Sequence, residues 1–146
     1  MNNNITDSLT QAATLTFEEL GFLFPTLETE PLTLVSNFNN TVIVNFHGDG
    51  HGKVVLNVSR ELLPVIAENI LGDDEISEEL QFDALGEVAN VICGNVLPMI
   101  FGKTSIIRLD APAHGEFSSS HESAAEIRLE FDEGCADVLL YLEKGK

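Results

Sequence analysis

At 146 residues, 44% of them hydrophobic, the chain has the length for one domain with a substantial core and is too apolar for a disordered acidic tail. Seven basic residues against 24 acidic ones leave a net charge of -17, which argues against nucleic acid and anionic membrane surfaces and favours a protein or a cation as partner. No run reaches the roughly 20 apolar residues of a bilayer span, Met1 to Asp7 lacks the basic and apolar parts of an export signal, and two cysteines without metal-ligand spacing read as reduced thiols; one domain over residues 1–146 in the cytoplasm is expected.

In chain order, Met1 to Ile5 reads as a frayed start, and Asp7 or Ser8 caps a helix to about Leu20 with Leu9, Ala12, Ala13, Phe17 and Leu20 on its inner face. Phe22 to Pro31 reads as a loop, and Leu32 to Asn37 as a strand. Thr41 to His47 alternates Val42, Val44 and Phe46 with Ile43 and Asn45, and a Gly-rich turn over Gly48 to Gly52 returns it into Lys53 to Val58, a hairpin by its local signals. Ser59 is expected to cap a helix to about Leu71 that starts properly near Leu63, because Pro64 fits only a first turn, and Gly72 suits its left-handed end. After an acidic link at Asp73 to Glu75, Ser77 caps a longer helix whose first turn holds Glu78 and Glu79. That helix either stops at Gly94-Asn95, with a short continuation containing Pro98, or runs on kinked. Then come Thr104 to Leu109, a loop with Pro112 and His114, a short strand around Glu116 to Ser118 and a Ser-rich turn. Ile127, Leu129 and Phe131 form a strand solvated on one face, and Gly134 turns the chain into a last strand over Val138 to Leu142. Hairpins without repeated strand-helix-strand crossovers imply an α/β protein of the α+β type, a mostly antiparallel sheet with helices packed on one face, and the two halves, each a helix followed by strands, hint at a half-repeat.

The stretch from Asp83 to Asn95 carries the chemistry. Leu85, Val88, Ala89, Ile92 and Val96 recur at helical spacing and should face the core. At 100° per residue, Asp83, Glu87, Asn90 and Gly94 fall within a wedge of about 60° on the opposite side. Gly86 and Gly94 each weaken a helix by about 1 kcal/mol relative to alanine, and the missing side chains would let another molecule approach the helix backbone. On these residues alone, the wedge reads first as the solvated side of an amphipathic helix, since most such faces do nothing more.

Asp83-x-x-x-Glu87-x-x-Asn90, followed by Val-Ile-Cys-Gly-Asn and then by Pro112, resembles the signature of the CheC/CheX/FliY family of phosphatases acting on the phosphorylated chemotaxis regulator CheY. The family proline stands one residue further on; here 21 residues separate Asn90 from Pro112. A single copy of the motif is closer to CheX than to the two-site CheC members. The resemblance implies the CheC/CheX arrangement of helices and sheet and a homodimer joined through sheet edges. It also implies a phosphorylated CheY-like receiver domain as substrate, with Glu87 pairing with the receiver's lysine, Asn90 holding the attacking water, and Asp83 helping to dock.

The residue types suit those roles. A carboxamide is neither acid nor base but offers a donor and an acceptor in one plane, and hydrolysis of an acyl phosphate asks chiefly for a positioned water. A carboxylate beside a phosphoryl group needs an intervening cation. The nucleophilic aspartate, the lysine and Mg2+ would belong to the receiver, so no cofactor or metal of the chain's own is expected, and no phosphate-cradling glycine loop or Cys-x5-Arg motif occurs.

Two other readings stay open. A noncatalytic module would bind a receiver or a flagellar switch component through the same helix. His47, Asp49 and His51 are all metal-ligand types, although Gly and Asp collect in turns without any metal. His114 and His121 read as solvated loop residues, and Cys93 as a packed, reduced thiol.

Overall fold

Alternation in the strands sorts the sheet into an inner and an outer face. A computed structural model describes residues 2–21, 23–26, 40–72, 76–114 and 123–143. Its elements are α1 (Asn2–Gly21), β1 (Asn40–Gly48), β2 (His51–Val58), α2 (Leu62–Leu71), α3 (Glu78–Phe101), β3 (Ile107–Leu109), β4 (Ala113–His114), β5 (Ala125–Phe131) and β6 (Gly134–Glu143). The strands expected over Leu32 to Asn37 and around Glu116 to Ser118, the Ser-rich turn and His121 lie outside the described residues.

The strands form one antiparallel sheet in the order β3-β1-β2-β6-β5, with β4 also paired to β1 beyond β3. Two hairpins, β1-β2 and β5-β6, meet through the pairing of β2 with β6, which runs from His51 opposite Glu143 to Val58 opposite Ala136. Val42, Val44 and Phe46 of β1, Val54, Leu56 and Val58 of β2, Val138 and Leu140 of β6, and Ile127, Leu129 and Phe131 of β5 point to the helices and join one core. The expected antiparallel sheet with helices packed on one face is the observed architecture.

The helices begin and end partly as their local chemistry dictates. α1 starts at Asn2, ahead of the expected cap at Asp7 or Ser8, and buries Leu9, Ala12, Ala13 and Phe17. Ser77 accepts a hydrogen bond from the Leu80 amide at 3.2 Å and caps α3, and Gly72 (φ 72°) ends α2 with its amide on the Glu68 carbonyl. Ser59 does not cap α2. Its hydroxyl accepts from the Cys135 amide at 3.1 Å, because β6 runs alongside and offers a closer donor; α2 begins at Leu62 without a side-chain cap. α3 runs unbroken through Gly94, Asn95 and Pro98 to Phe101, so neither the stop nor the separate continuation occurs. Phe101 secures its end, its ring lying over Gly50 in the β1-β2 turn and edge-on to Phe46 at 6.2 Å.

α3 is, by length and hydropathy alone, the one helix among the described residues that would cross a membrane, contrary to the reading that no segment approaches this. The hydropathy arises from core packing: Ala84, Leu85, Gly86, Val88, Ala89, Ile92, Cys93, Val96 and Leu97 are buried inside the fold.

The outer sheet face is less solvated than its alternation implies. Val55, Leu139 and Tyr141 are buried with Ile43 packed against them. Arg128, expected in water, lies opposite Asp137 and is held by a bidentate pair, Nε to Oδ1 at 2.6 Å and Nη2 to Oδ2 at 2.9 Å, with only 10% and 6% of the two side chains exposed. That hydrogen bond, ahead of Coulombic attraction, pushes the guanidinium still further above its usual range. Truncating Asp137 removes both bonds from a nearly buried cation. Asp137→Ala should therefore lower the unfolding free energy by about 3–5 kcal/mol in urea titration.

Candidate functional site

Burying one side of α3 decides what its other side presents. Asp83, Glu87 and Gly94 are exposed and Asn90 is half-buried at the border of the packed stripe, as helical geometry requires. Because the helix is continuous from its Ser77 cap, the three polar side chains share one rigid element.

They face a cleft. Phe82, Asp83, Gly86, Glu87 and Asn90 of α3, Val42 of β1, and Pro112 and His114 enclose a volume of about 200 Å³. Beside it an open depression of about 370 Å³ shares Phe82, Asp83 and His114 as lining. The far wall comes from the sheet edge, where β3 and β4 pair with β1 on either side of Asp110, whose amide donates to the Asn45 carbonyl at 2.9 Å. This hydrogen bonding brings Pro112 over α3. A Cβ on Gly86 would stand 3.0 Å from Pro112 Cβ and 3.2 Å from its Cγ. The close approach expected of another molecule at Gly86 is thus made by the chain itself, and Gly86 builds the cleft wall. Gly94 has nothing within 4 Å of an added Cβ, so the backbone there is open to a visitor.

The site's polar groups are uncommitted. Asp83 and Glu87 have no hydrogen-bond or ion-pair partner among the described residues, and the buried Oδ1 of Asn90 accepts no hydrogen bond. Asn95, five residues on, shows the alternative: its Nδ2 donates to Thr16 Oγ1 at 3.0 Å, and that hydroxyl donates to the Ala12 carbonyl at 2.7 Å, tying α3 to α1. An unpaired buried acceptor costs about 1–3 kcal/mol, and a half-turn about χ2 exchanges the Asn90 oxygen for its nitrogen. Asn90 can therefore turn either a donor or an acceptor toward the cleft. Glu79, Asp83 and Glu87 follow one another at intervals of four residues, and each such like-charged pair disfavours the helix by roughly 0.2–0.5 kcal/mol. A cation brought to this stripe reverses the sign of the interaction.

Other candidates are engaged elsewhere. His47 Nε2 lies 3.1 Å from Asp110 Oδ1, and Asp49 Oδ2 accepts from the Ile106 amide at 2.8 Å. No cluster of three or more His, Cys, Asp or Glu suited to a metal occurs among the described residues. Cys93 is fully buried on the inner side of α3, and burial pushes its thiol up to about 12. His114, read from sequence as a solvated loop residue, is exposed as expected but belongs to β4 and stacks on Phe82 at 3.6 Å between ring centroids. Nothing local signals that contact, since it depends on which strand edge β4 joins.

A family model described as chemotaxis phosphatase CheX matches residues 40–131, which include α3, Pro112 and His114. The chain belongs to the CheX family. Among solved structures, CheX from Desulfovibrio desulfuricans superposes with a TM-score of 0.74 at 19% identity, covering 95% of this chain and 99% of that one. The CheX-CheY-BeF3-Mg+2 complex from Borrelia burgdorferi gives 0.66 at 18%, covering 94% and 97%. The FliM middle domain from H. pylori gives 0.51 at 14%, covering 93% and 86%. At these identities the likeness is one of fold. No curated protein matches the sequence.

Two outcomes follow for this CheX-family site. Gly86→Val forces extra methyl groups against Pro112 and should cost about 1–3 kcal/mol in thermal or urea unfolding while pushing the cleft wall outward. The Cys93 thiol is raised in the fold relative to the unfolded chain, so its contribution to stability is complete below about pH 8.5 and is lost as pH rises toward about 12. Cys93 should accordingly react with thiol reagents at pH 8 only after denaturant is added, as followed by mass spectrometry.

Proposed function

We propose that the protein is a phosphatase for the aspartyl phosphate of a CheY-like receiver domain, with Asn90 and Glu87 entering the receiver's active site from α3. The observation that carries this reading is that Glu87 and Asn90, both uncommitted, share the outer side of one unbroken helix at the mouth of a cleft, in a chain of the CheX family. The fold likeness to a CheX bound to CheY adds support.

Asn90 orients a water in line with the phosphorus-oxygen bond to the receiver's aspartate. The water oxygen bonds to phosphorus, the aspartyl carboxylate departs, and inorganic phosphate leaves with the water's remaining atoms. Glu87 pairs with the receiver's lysine, meeting the need for a cation beside the acidic stripe. Asp83 assists docking, and Gly94 leaves the helix backbone open to the receiver surface. Mg2+ and the phosphorylated aspartate come with the substrate, so the chain needs no cofactor of its own. In this reading the protein works in the cytoplasm, in chemotaxis signalling, as a homodimer.

The likeness to the FliM middle domain favours a second reading, a noncatalytic module binding a receiver or a switch component. Decay of phosphorylated receiver in the presence of the purified protein separates the two. Asn90→Ala should slow decay by about 10²-fold with little change in binding, and Glu87→Ala should raise KM by about tenfold or more, about 1.4 kcal/mol. Equal decay rates for wild type and Asn90→Ala, with binding retained, would favour the noncatalytic module.

A further inference from the structure

One side chain at the cleft can carry a positive charge. His114 lies opposite Val42 in the β4-β1 pairing, and its ring rests on Phe82 with 28° between the planes. Phe82, Asp83 and His114 line both the cleft containing Glu87 and Asn90 and an adjoining depression that extends to Glu78 and Glu79. Stacking and strand pairing hold the imidazole in place before any partner arrives. Its ring nitrogens have no hydrogen-bond partner among the described residues, whereas the ring of His47 is engaged with Asp110.

Charge gives this position its meaning. Of the residues lining either depression, His114 alone can become cationic; Glu78, Glu79, Asp83 and Glu87 are acids, all from α3. A phosphoryl group entering here meets carboxylates that repel it, and the receiver's own cations offset only part of that. An imidazole N–H supplies a donor from this chain, one when neutral and two with a positive charge when protonated.

We propose that His114 is a phosphoryl-contacting residue: an N–H of the Phe82-stacked ring donates a hydrogen bond to an oxygen of the docked phosphoryl group, so that the protein prefers a phosphorylated receiver to an unphosphorylated one. This rests on the cleft's being the receiver-phosphate site. Protonation gives an imidazole a second donor and a positive charge, so the preference should be greater at pH 6 than at pH 8. Among the described residues, the other titratable groups lining the two depressions are Glu78, Glu79, Asp83 and Glu87.

His114→Phe tests the contact, because it keeps a flat ring on Phe82 and removes both nitrogens. Affinity is measured for a CheY-type receiver with and without beryllofluoride and Mg2+ at its phosphorylation site, at pH 6 and pH 8, alongside the melting temperature. The expected result is an affinity for the loaded receiver about tenfold lower than wild type at pH 6, as for loss of one charge-assisted hydrogen bond. Affinity for the unloaded receiver and the melting temperature should hold, and the pH difference should vanish. His114→Gln, which retains a donor without a titrating ring, should recover part of the affinity but none of the pH dependence, and it decides the matter if the Phe variant is unstable. Wild-type affinity and pH dependence in the folded Phe variant, or wild-type pH dependence in the Gln variant, would overturn the proposal. Phosphate release by wild type and Asn90→Ala, run in parallel, keeps the two readings apart: if Asn90→Ala is impaired while His114→Phe binds and hydrolyses like wild type, the phosphatase reading stands and the His114 contact falls. If wild type itself does not distinguish loaded from unloaded receiver, the His114 contact falls, and if wild type also fails to speed phosphate release, both fall.

Discussion

Nine residues of α3 are buried along its length, and a helix that turns 100° per residue cannot hide one side without fixing the direction of the other. The bearing of Asp83, Glu87 and Asn90 is thus set by Leu85, Val88, Ala89, Ile92 and Val96, which lock the rod over the inner strands of the sheet and against α1. The Asn95-Thr16 link and the Phe101 ring in the hairpin turn prevent sliding and fraying at the far end. In the proposed reaction a rigid presentation matters for Asn90, because a displacement of about 1 Å can cost two orders of magnitude in rate.

The sheet edge supplies the second half of the site. β4 contributes only two residues, yet its pairing with β1 puts His114 against Phe82, and the preceding loop puts Pro112 on Gly86. Helix and edge together leave a small, acidic, largely unpaired cleft. Its side chains lack the internal bonds that Asn95 and Arg128 have, and they carry a like-charged stripe that isolated stability would disfavour. On the proposed reading, groups left in that condition serve a partner rather than the fold.

Much of this was legible because its causes are local. The Ser77 cap, the left-handed Gly72, the β1-β2 hairpin and the α3 periodicity each depend on residues a few positions apart, and each stands where its sequence places it. What sequence misplaced depends on distant neighbours. Ser59 has the chemistry of a cap but spends its hydroxyl on Cys135, 76 residues away. Pro98 reads as a break, yet Val96 and Leu97 in the core and Phe101 beyond them hold the helix together. Gly86 signals a close approach without saying whose, and His114 gives no sign of the aromatic ring on which it lies. The polar wedge on α3 was readable from spacing, while the cleft it faces required the topology.

The position of β6 has a consequence for synthesis. The last strand described lies inside the sheet, between β2 and β5, and it alone joins the two hairpins. A nascent chain that has reached only β5 therefore holds Val54, Leu56 and Val58 on a strand paired with β1 on one side and open along the edge that β6 will occupy. Closure must wait for a pairing across some 80 residues, a separation that slows folding. Until β6 has emerged, the unfinished sheet is a surface for holdase chaperones or for self-association.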